Sequence, residues 1–268
     1  MTLEAPRVAD PYTPAEMAER VEAGGVAKAA LDFWRTLALA VLAGAFIGLG
    51  AMASTIAATE TGLGYGPTRL LAGLVFSLGL VLVLVGGAEL FTGNALIVMA
   101  WAERRVRSSA LLRNWAIVYA GNFLGALVTA VGVHFSGIHA LGSGKVAQTA
   151  LAIATTKASL GFGEALLRGV FCNALVCLAV WLGFSARTTT DKVLCVVFPI
   201  TAFVAAGFEH SIANMYFIPV GMLLQGPGGQ ITWNAFLVGN LLPVTFGNIA
   251  GGSLMVGLVY WFIYLRRK

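Results

Sequence analysis

The apolar positions of this 268-residue chain fall in long runs rather than in stripes. A helix needs about 20 consecutive apolar residues to cross the hydrocarbon core of a bilayer. Four uninterrupted runs are long enough: 37–58, 115–135, 166–184 and 235–265, the last with length to spare for tilt or extension past the membrane. Two more, about 70–102 and 193–224, are broken midway by glycine and polar residues, "GAELFTGN" at 87–94 and "GFEHSIAN" at 207–214. The pattern predicts an all-α polytopic membrane protein with six transmembrane helices, of which the second and fifth are broken.

The two breaks share the spacing G-x-E-x-x-x-x-N at an offset of 120 residues. A second duplication follows them: "NWAIVYAGNFLG" from Asn114 and "NLLPVTFGNIAG" from Asn240 both read N-x6-G-N-x-x-G, 126 residues apart. Each half holds three crossings, an odd number, so the second half enters from the opposite side. That is an inverted repeat about an axis in the membrane plane. The expected organisation is a cytoplasmic N-terminal amphipathic segment at 1–35, a first repeat at 36–135, an outer connecting loop at 136–160 and a second repeat at 161–268. Met17, Val21, Val26 and Ala30 recur among charges at loosely helical spacing, which predicts a helix lying on the inner membrane surface. "KVAQTALAIATTKA" in the outer loop predicts a second interfacial helix.

Composition agrees with this reading. Hydrophobic residues make up 58% of the chain and charged residues 11%, against about 25% charged in soluble domains. The net charge of +5 does not indicate a nucleic-acid partner, because the basic residues are sorted by side. Arg7, Arg20, Lys28 and Arg35 precede the first crossing, and Arg104, Arg105, Arg107 and Arg113 follow the second. Arg187 and Lys192 follow the fourth, and Arg266, Arg267 and Lys268 end the chain, whereas the opposite side has only Arg69, Lys145, Lys157 and Arg168. This positive-inside bias predicts cytoplasmic termini. Cys172, Cys177 and Cys195 lie in apolar segments and read as small buried hydrophobes, not a disulfide framework. Residues 1–30 lack the basic start and apolar centre of a signal peptide, so the first crossing is expected to act as the insertion signal.

Backbone leaves helical geometry inside a membrane only where protein buries it or where it lines a water-filled path. Both breaks are therefore expected to point inward and form two walls of one site near the midplane. Thr92 and Ser211 are expected N-caps of the half-helices that restart there. Two converging helix N-termini would favour a small anion. Beside them stands His210, the only histidine within a break (His134 and His139 lie at the outer end of the third crossing), able to donate a hydrogen bond or carry a proton. For Glu89 and Glu209 two roles stay open, a place in the path or acceptance of hydrogen bonds around the breaks; an ionised carboxylate in the path would repel an anion. Asn94, Asn214, Asn122 and Asn248 read as polar ties between helices, and the pairs Gly121/Gly125 and Gly247/Gly251 as close-packing surfaces.

At these residues the sequence resembles the formate/nitrite transporter family, from about Pro11 to the C-terminus. "FSLGLVLVLVGGAELFTGN" and "FVAAGFEHSIANMYFIPVG" resemble its two broken helices, and "GVFCNALVCLAVWLGFSARTTTDK" and "NLLPVTFGNIAGGSLMVGLVYWFIYL" its fourth and sixth. The resemblance implies an aquaporin-like fold, a homopentamer with one pore per protomer, and passage of small monovalent anions such as formate, nitrite or hydrosulfide. It implies His210 as the central pore histidine with Thr92 as its neighbour. It also implies Phe76, Leu80 and Phe203 as an outer constriction, and Leu90, Thr92 and Val176 as an inner slit. Lys157, Asn173, Glu209 and Asn214 would be polar groups around the path, and the N-terminal helix a cytoplasmic gate. Gly93-Asn94 after the L-F-T run is a position where members vary. No cofactor or metal is expected.

A bare anion crossing apolar constrictions loses its hydration at high cost. The expected mechanism draws the anion in with Lys157 and the half-helix ends; His210 or its attached water then supplies a proton, and the neutral acid passes. A leaky anion channel with a charged His210 is the alternative. Water or glycerol pores share the six-crossing plan, but the Asn-Pro-Ala pairs they carry are missing: the breaks continue Asn94-Ala95-Leu96 and Asn214-Met215-Tyr216. An intramembrane enzyme would need a nucleophile with a base, and His210, Ser211 and Glu209 are merely consecutive. The N-terminal segment and "GFEHSIANM" look closest to the formate branch, with nitrite or hydrosulfide as alternatives.

Overall fold

The computed structural model describes residues 10–266; Arg7, Arg267 and Lys268 lie outside the described residues, as does the start of the N-terminal segment. The described chain forms ten helices and one short 3-10 turn (Ile138–Ala140): α1 (Pro14–Ala30), α2 (Phe33–Ala57), α3 (Tyr65–Gly86), α4 (Gly93–Ala102), α5 (Ser108–Phe135), α6 (Lys145–Ala158), α7 (Phe162–Gly183), α8 (Thr189–Ala206), α9 (Ser211–Leu224) and α10 (Ala235–Tyr264). Six of them, α2, α3, α5, α7, α8 and α10, are long and apolar enough to cross a membrane. The protein is an all-helical, multi-pass membrane protein. Several helices begin before the apolar runs do. Helix α5 starts at Ser108, not near Trp115, because helical hydrogen bonding continues through Arg113 and Asn114; apolarity marks the reach of lipid, not of the helix.

Local signals set the helix starts. Thr13 and Glu16 form a reciprocal capping box with Pro14 at the first position of α1. Asp32 caps α2, and Thr188 with Asp191 forms a second box on α8. Packing between crossings depends on glycine. A Cβ added at Gly125 would collide with the Val41 carbonyl of α2, and one at Gly251 with the Val170 carbonyl of α7. Gly44 against Asn122 and Gly247 against Leu166 are as tight, so α2–α5 and α7–α10 pack backbone to backbone.

The N-terminal helix has its apolar stripe against protein: α1 buries Met17, Ala18 and Val21 in an apolar cluster with Leu96, Met99, Cys177 and Trp181. Val26 is half-buried and Ala30 exposed, while Gly25 and Ala29 face inward, because a 3.6-residue period keeps 18, 21, 25 and 29 on one stripe. Tyr12 anchors the approach to α1: its ring lies between the guanidinium groups of Arg20 (4.0 Å) and Arg187 (3.5 Å), and its N–H donates to the Ser185 carbonyl.

Candidate functional site

Helix α3 stops at Gly86 and α8 at Ala206, and in each case the next residue is a left-handed glycine, Gly87 at φ +81° and Gly207 at φ +75°. A side chain there would be strained, so glycine is what lets the chain turn out of the helix. The backbone freed by the turn is then tied down by an asparagine from a neighbouring helix. Asn122 accepts from Phe91 N–H (2.9 Å) and donates to the carbonyls of Ala40 (2.7 Å) and Glu89 (2.9 Å). Asn248 accepts from Ser211 N–H (2.8 Å) and donates to Gly169 (2.8 Å) and Glu209 (3.0 Å). Each amide occupies three backbone groups that lipid could not satisfy.

The glutamates do not face each other. Glu209 accepts from Lys157 Nζ (2.9 Å) and Asn214 Nδ2 (2.7 Å), Asn214 donates on to Asn240 (2.7 Å), and Asn240 returns to the Lys157 carbonyl (2.8 Å). Glu89 does the same with Lys28 Nζ (2.6 Å), Asn94 (2.7 Å), Asn114 (2.9 Å) and the Lys28 carbonyl (3.2 Å). Each carboxylate is thus paired with a lysine and tied to the asparagine that follows it in its own interruption.

Where the two interruptions meet, Thr92 Oγ1 lies 3.0 Å from His210 Nε2. The expected caps are corrected here. Neither Thr92 nor Ser211 caps with its side chain; His210 is the N-cap of α9, its Nδ1 accepting from Ala213 N–H at 3.2 Å. An accepting Nδ1 carries no proton, so the imidazole hydrogen sits on Nε2, pointing towards Thr92. The N–H groups of Ser211 and Ala213 are therefore already engaged, which weakens the expected trap of bare helix ends. The Thr92 carbonyl is held by Asn173 Nδ2 (3.1 Å) and Cys177 Sγ (3.3 Å), and Asn173 also donates to the Asn248 carbonyl (2.6 Å). Asn173 Oδ1 is buried without a partner.

The Phe203 ring stacks on His210 at 5.9 Å and meets Phe76 edge-on at 5.6 Å. Leu80, Leu90 and Val176 are buried in the same apolar cluster. A cavity of about 500 Å³ opens on the α6 side and is lined by Phe76, Phe203, His210, Lys157, Arg69 and Arg168, among others. His210, Thr92, Phe76 and Phe203, far apart along the chain, are neighbours in the fold. Sequence reasoning missed Lys28 as the counterpart of Lys157, and it left Arg69 and Arg168 in the charge tally. A signal for Lys28 exists: "KAALDF" at 28–33 and "KASLGF" at 157–162 match at an offset of 129.

Comparison with known proteins places these residues in context. The formate/nitrite transporter family model matches residues 15–262. The formate channel FocA of Escherichia coli K12 is 41% identical, over 97% of this chain and 96% of its own. FocA of Haemophilus influenzae is 37% identical over 92% of each. A solved pentameric formate channel with formate bound superposes with a TM-score of 0.81 at 38% identity, over 87% of this chain and 98% of its own.

Proposed function

The chain belongs to the formate/nitrite transporter family, and from that premise we propose that it is a pore for small monovalent anions, formate first among them. Transport rather than catalysis is the family's work. The reading includes two inverted repeats in an aquaporin-like arrangement, with α3–α4 and α8–α9 as broken crossings. Five such chains assemble, as in the pentameric relative. The α1 side, where Arg105 pairs with Glu22 and Arg187 reaches the Asp10 carbonyl, is cytoplasmic, in a bacterial inner membrane. Because Lys28 and Lys157 hold corresponding places, each repeat begins at its short helix, α1 or α6, and not at the first crossing.

The observation that carries the proposal is the 3.0 Å meeting of Thr92 Oγ1 and His210 Nε2 beside a cavity with cationic walls. Lys157, although paired with Glu209, keeps an edge on that cavity, as do two arginines, so an anion entering it is drawn inward. Phe76, Leu80 and Phe203 then form an apolar outer constriction, and Leu90, Thr92 and Val176 an inner slit. A charged solute is costly to desolvate there and a neutral acid is not. His210, held with Nδ1 as acceptor, donates from Nε2 to the solute oxygen. If it gave up that proton directly it would become an imidazolate. The proton that neutralises the anion therefore comes from hydronium of the bulk, relayed through cavity water and leaving water behind, or through a His210 first protonated at Nδ1 with the Ala213 bond broken. Asn173, Glu209 and Asn214 act by holding the two loops.

Flux into proteoliposomes, compared for formate, nitrite, hydrosulfide and acetate across pH, tests the reading. Formate is expected to pass fastest, with flux rising as pH falls. His210→Phe should depress it at least about tenfold, the worth of one well-placed hydrogen-bond donor in a dry site. Undiminished flux in that variant removes His210 from any essential role, and faster nitrite than formate reassigns the substrate.

A further inference from the structure

Arg69 on α3 and Arg168 on α7 converge on the last turn of α8. Arg69 donates through Nε to the Ala205 carbonyl (3.2 Å) and through Nη2 to Val204, and Arg168 donates through Nη1 to the Gly207 carbonyl (3.2 Å). Nitrogens of both guanidinium groups lie within 4 Å of the point where a Gly207 side chain would begin. Both residues are half-buried in the wall of the cavity that ends at Phe203 and His210.

A helix C-terminus carries roughly half a negative charge, so one cation suffices to complement it. Here there are two. The carboxylate beside Arg168, Glu164, is an exposed i,i+4 partner, and such pairs hold weakly in water. The cavity wall thus keeps uncompensated positive charge at one place. Arg69 Nη1 and Arg168 Nε have no part in the contacts above, leaving N–H donors for a ligand. The opposite face of the molecule has no equivalent: the carbonyl that receives Glu209 N–H belongs to Arg168, whereas the one that receives Glu89 N–H belongs to Leu39.

We propose that Arg69 and Arg168 form an anion station at the mouth of this cavity, upstream of His210, that selects solutes with two oxygens on one atom, small carboxylates above all. A guanidinium presents paired N–H donors in the spacing of two carboxylate oxygens, which a hydrosulfide or halide cannot match. The inference rests on the transport reading above and adds to it a point of discrimination before the apolar constriction.

Uptake by intact cells expressing the full chain tests it, with formate and hydrosulfide measured in parallel for the wild type, Arg168→Leu and Arg168→Lys; Arg69 stays as the α8 cap. Arg168→Leu should raise the half-saturating formate concentration about 3–10-fold, the loss of one charge-assisted bond. Arg168→Lys, which keeps the charge without the fork, should raise it about 2–5-fold while leaving hydrosulfide unmoved. A formate half-saturation unchanged in Arg168→Leu, or a Lys variant that shifts both anions equally, overturns the station. So does a lowered maximal rate accompanied by a lowered melting temperature of the purified protein, which would make Arg168 a structural cap. A wild type that passes neither anion sinks the transport reading itself, a result distinct from all of these.

Discussion

The frame around Glu89 and the frame around Glu209 use the same residues in the same places, Lys28 with Lys157, Asn94 with Asn214, Asn114 with Asn240, Asn122 with Asn248. They differ in one bond: Lys28 also donates to Asn94 Oδ1 (3.1 Å), whereas Asn214 Oδ1 is buried without a partner. The residues after each glutamate do not match. They read Leu90-Phe91-Thr92 in the first interruption and His210-Ser211-Ile212 in the second. Corresponding places therefore hold Leu90 and His210. The hydrogen-bonded frame around a glutamate is present twice, and a histidine beside it once. Surroundings differ too: the Lys28 side chain is 36% exposed and Lys157 15%. The α6 side adds two arginines. The residues that satisfy backbone are thus the same at both places, and those next to the glutamate differ.

That contrast is open to attack, beginning with the largest effect. His210→Leu makes the second interruption resemble the first, and formate flux should fall at least about tenfold while stability falls by about 1 kcal/mol, the worth of the lost cap. Adding Leu90→His should not restore flux, because Phe203 stacks at the other interruption only; restoration would mean that the two positions are interchangeable. Removing the glutamates tests the shared frame. Glu209→Ala leaves Lys157, whose side chain is only 15% exposed, unpaired and should cost about 2–4 kcal/mol. Glu89→Ala should cost less, about 1–3 kcal/mol, since Lys28 can turn to water. Denaturation in detergent gives both numbers, and an equal loss would erase the asymmetry in burial.

The glycine contacts should behave alike in the two halves. Gly125→Ala and Gly251→Ala each force a Cβ onto a facing carbonyl and should each destabilise by about 1–3 kcal/mol; a harmless substitution at either would separate the halves. The smallest effect concerns α1, the half-frame on the surface. Glu16 is held below its ordinary 4.5 by the backbone N–H of Thr13 first, then by its hydroxyl. A carboxyl lowered on folding adds stability above pH 4.5 and loses it as pH falls through the lowered value. Protection factors along α1, which correct for the intrinsic pH dependence of amide exchange, should therefore be smaller below pH 4.5 than at pH 7, and Glu16→Gln should flatten the response.

Much of the architecture was legible because lipid imposes a coarse rule: runs such as 37–58 and 166–184 have one use, and a Gly-x-Glu inside such a run has very few. His210 stood out for the same reason. The capping role of His210 was not legible, since Ser211 and Thr92 are the better caps by type, and only the path of the chain after Gly207 turns Nδ1 onto Ala213. Arg69 and Arg168 looked like loop charges because nothing along the chain says that α3 and α7 deliver them to one carbonyl cluster. The seat of α1 was hidden likewise: its stripe through Val21 and Gly25 fits a membrane surface as well as it fits Leu96 and Ile97.

By itself the sequence determined that six segments are long and apolar enough to cross lipid, and that two stretches share one G-x-E-x-x-x-x-N spacing, because burying peptide groups in hydrocarbon admits few patterns. Which partner each polar group takes was decided only by the tertiary structure. Lys28 could have faced phospholipid and Glu209 a solute; they bind Glu89 and Lys157 because packed glycines bring those helices within hydrogen-bonding distance. Hydrophobicity sums along a chain, whereas a hydrogen bond needs two groups at about 3 Å, and that distance exists only after folding.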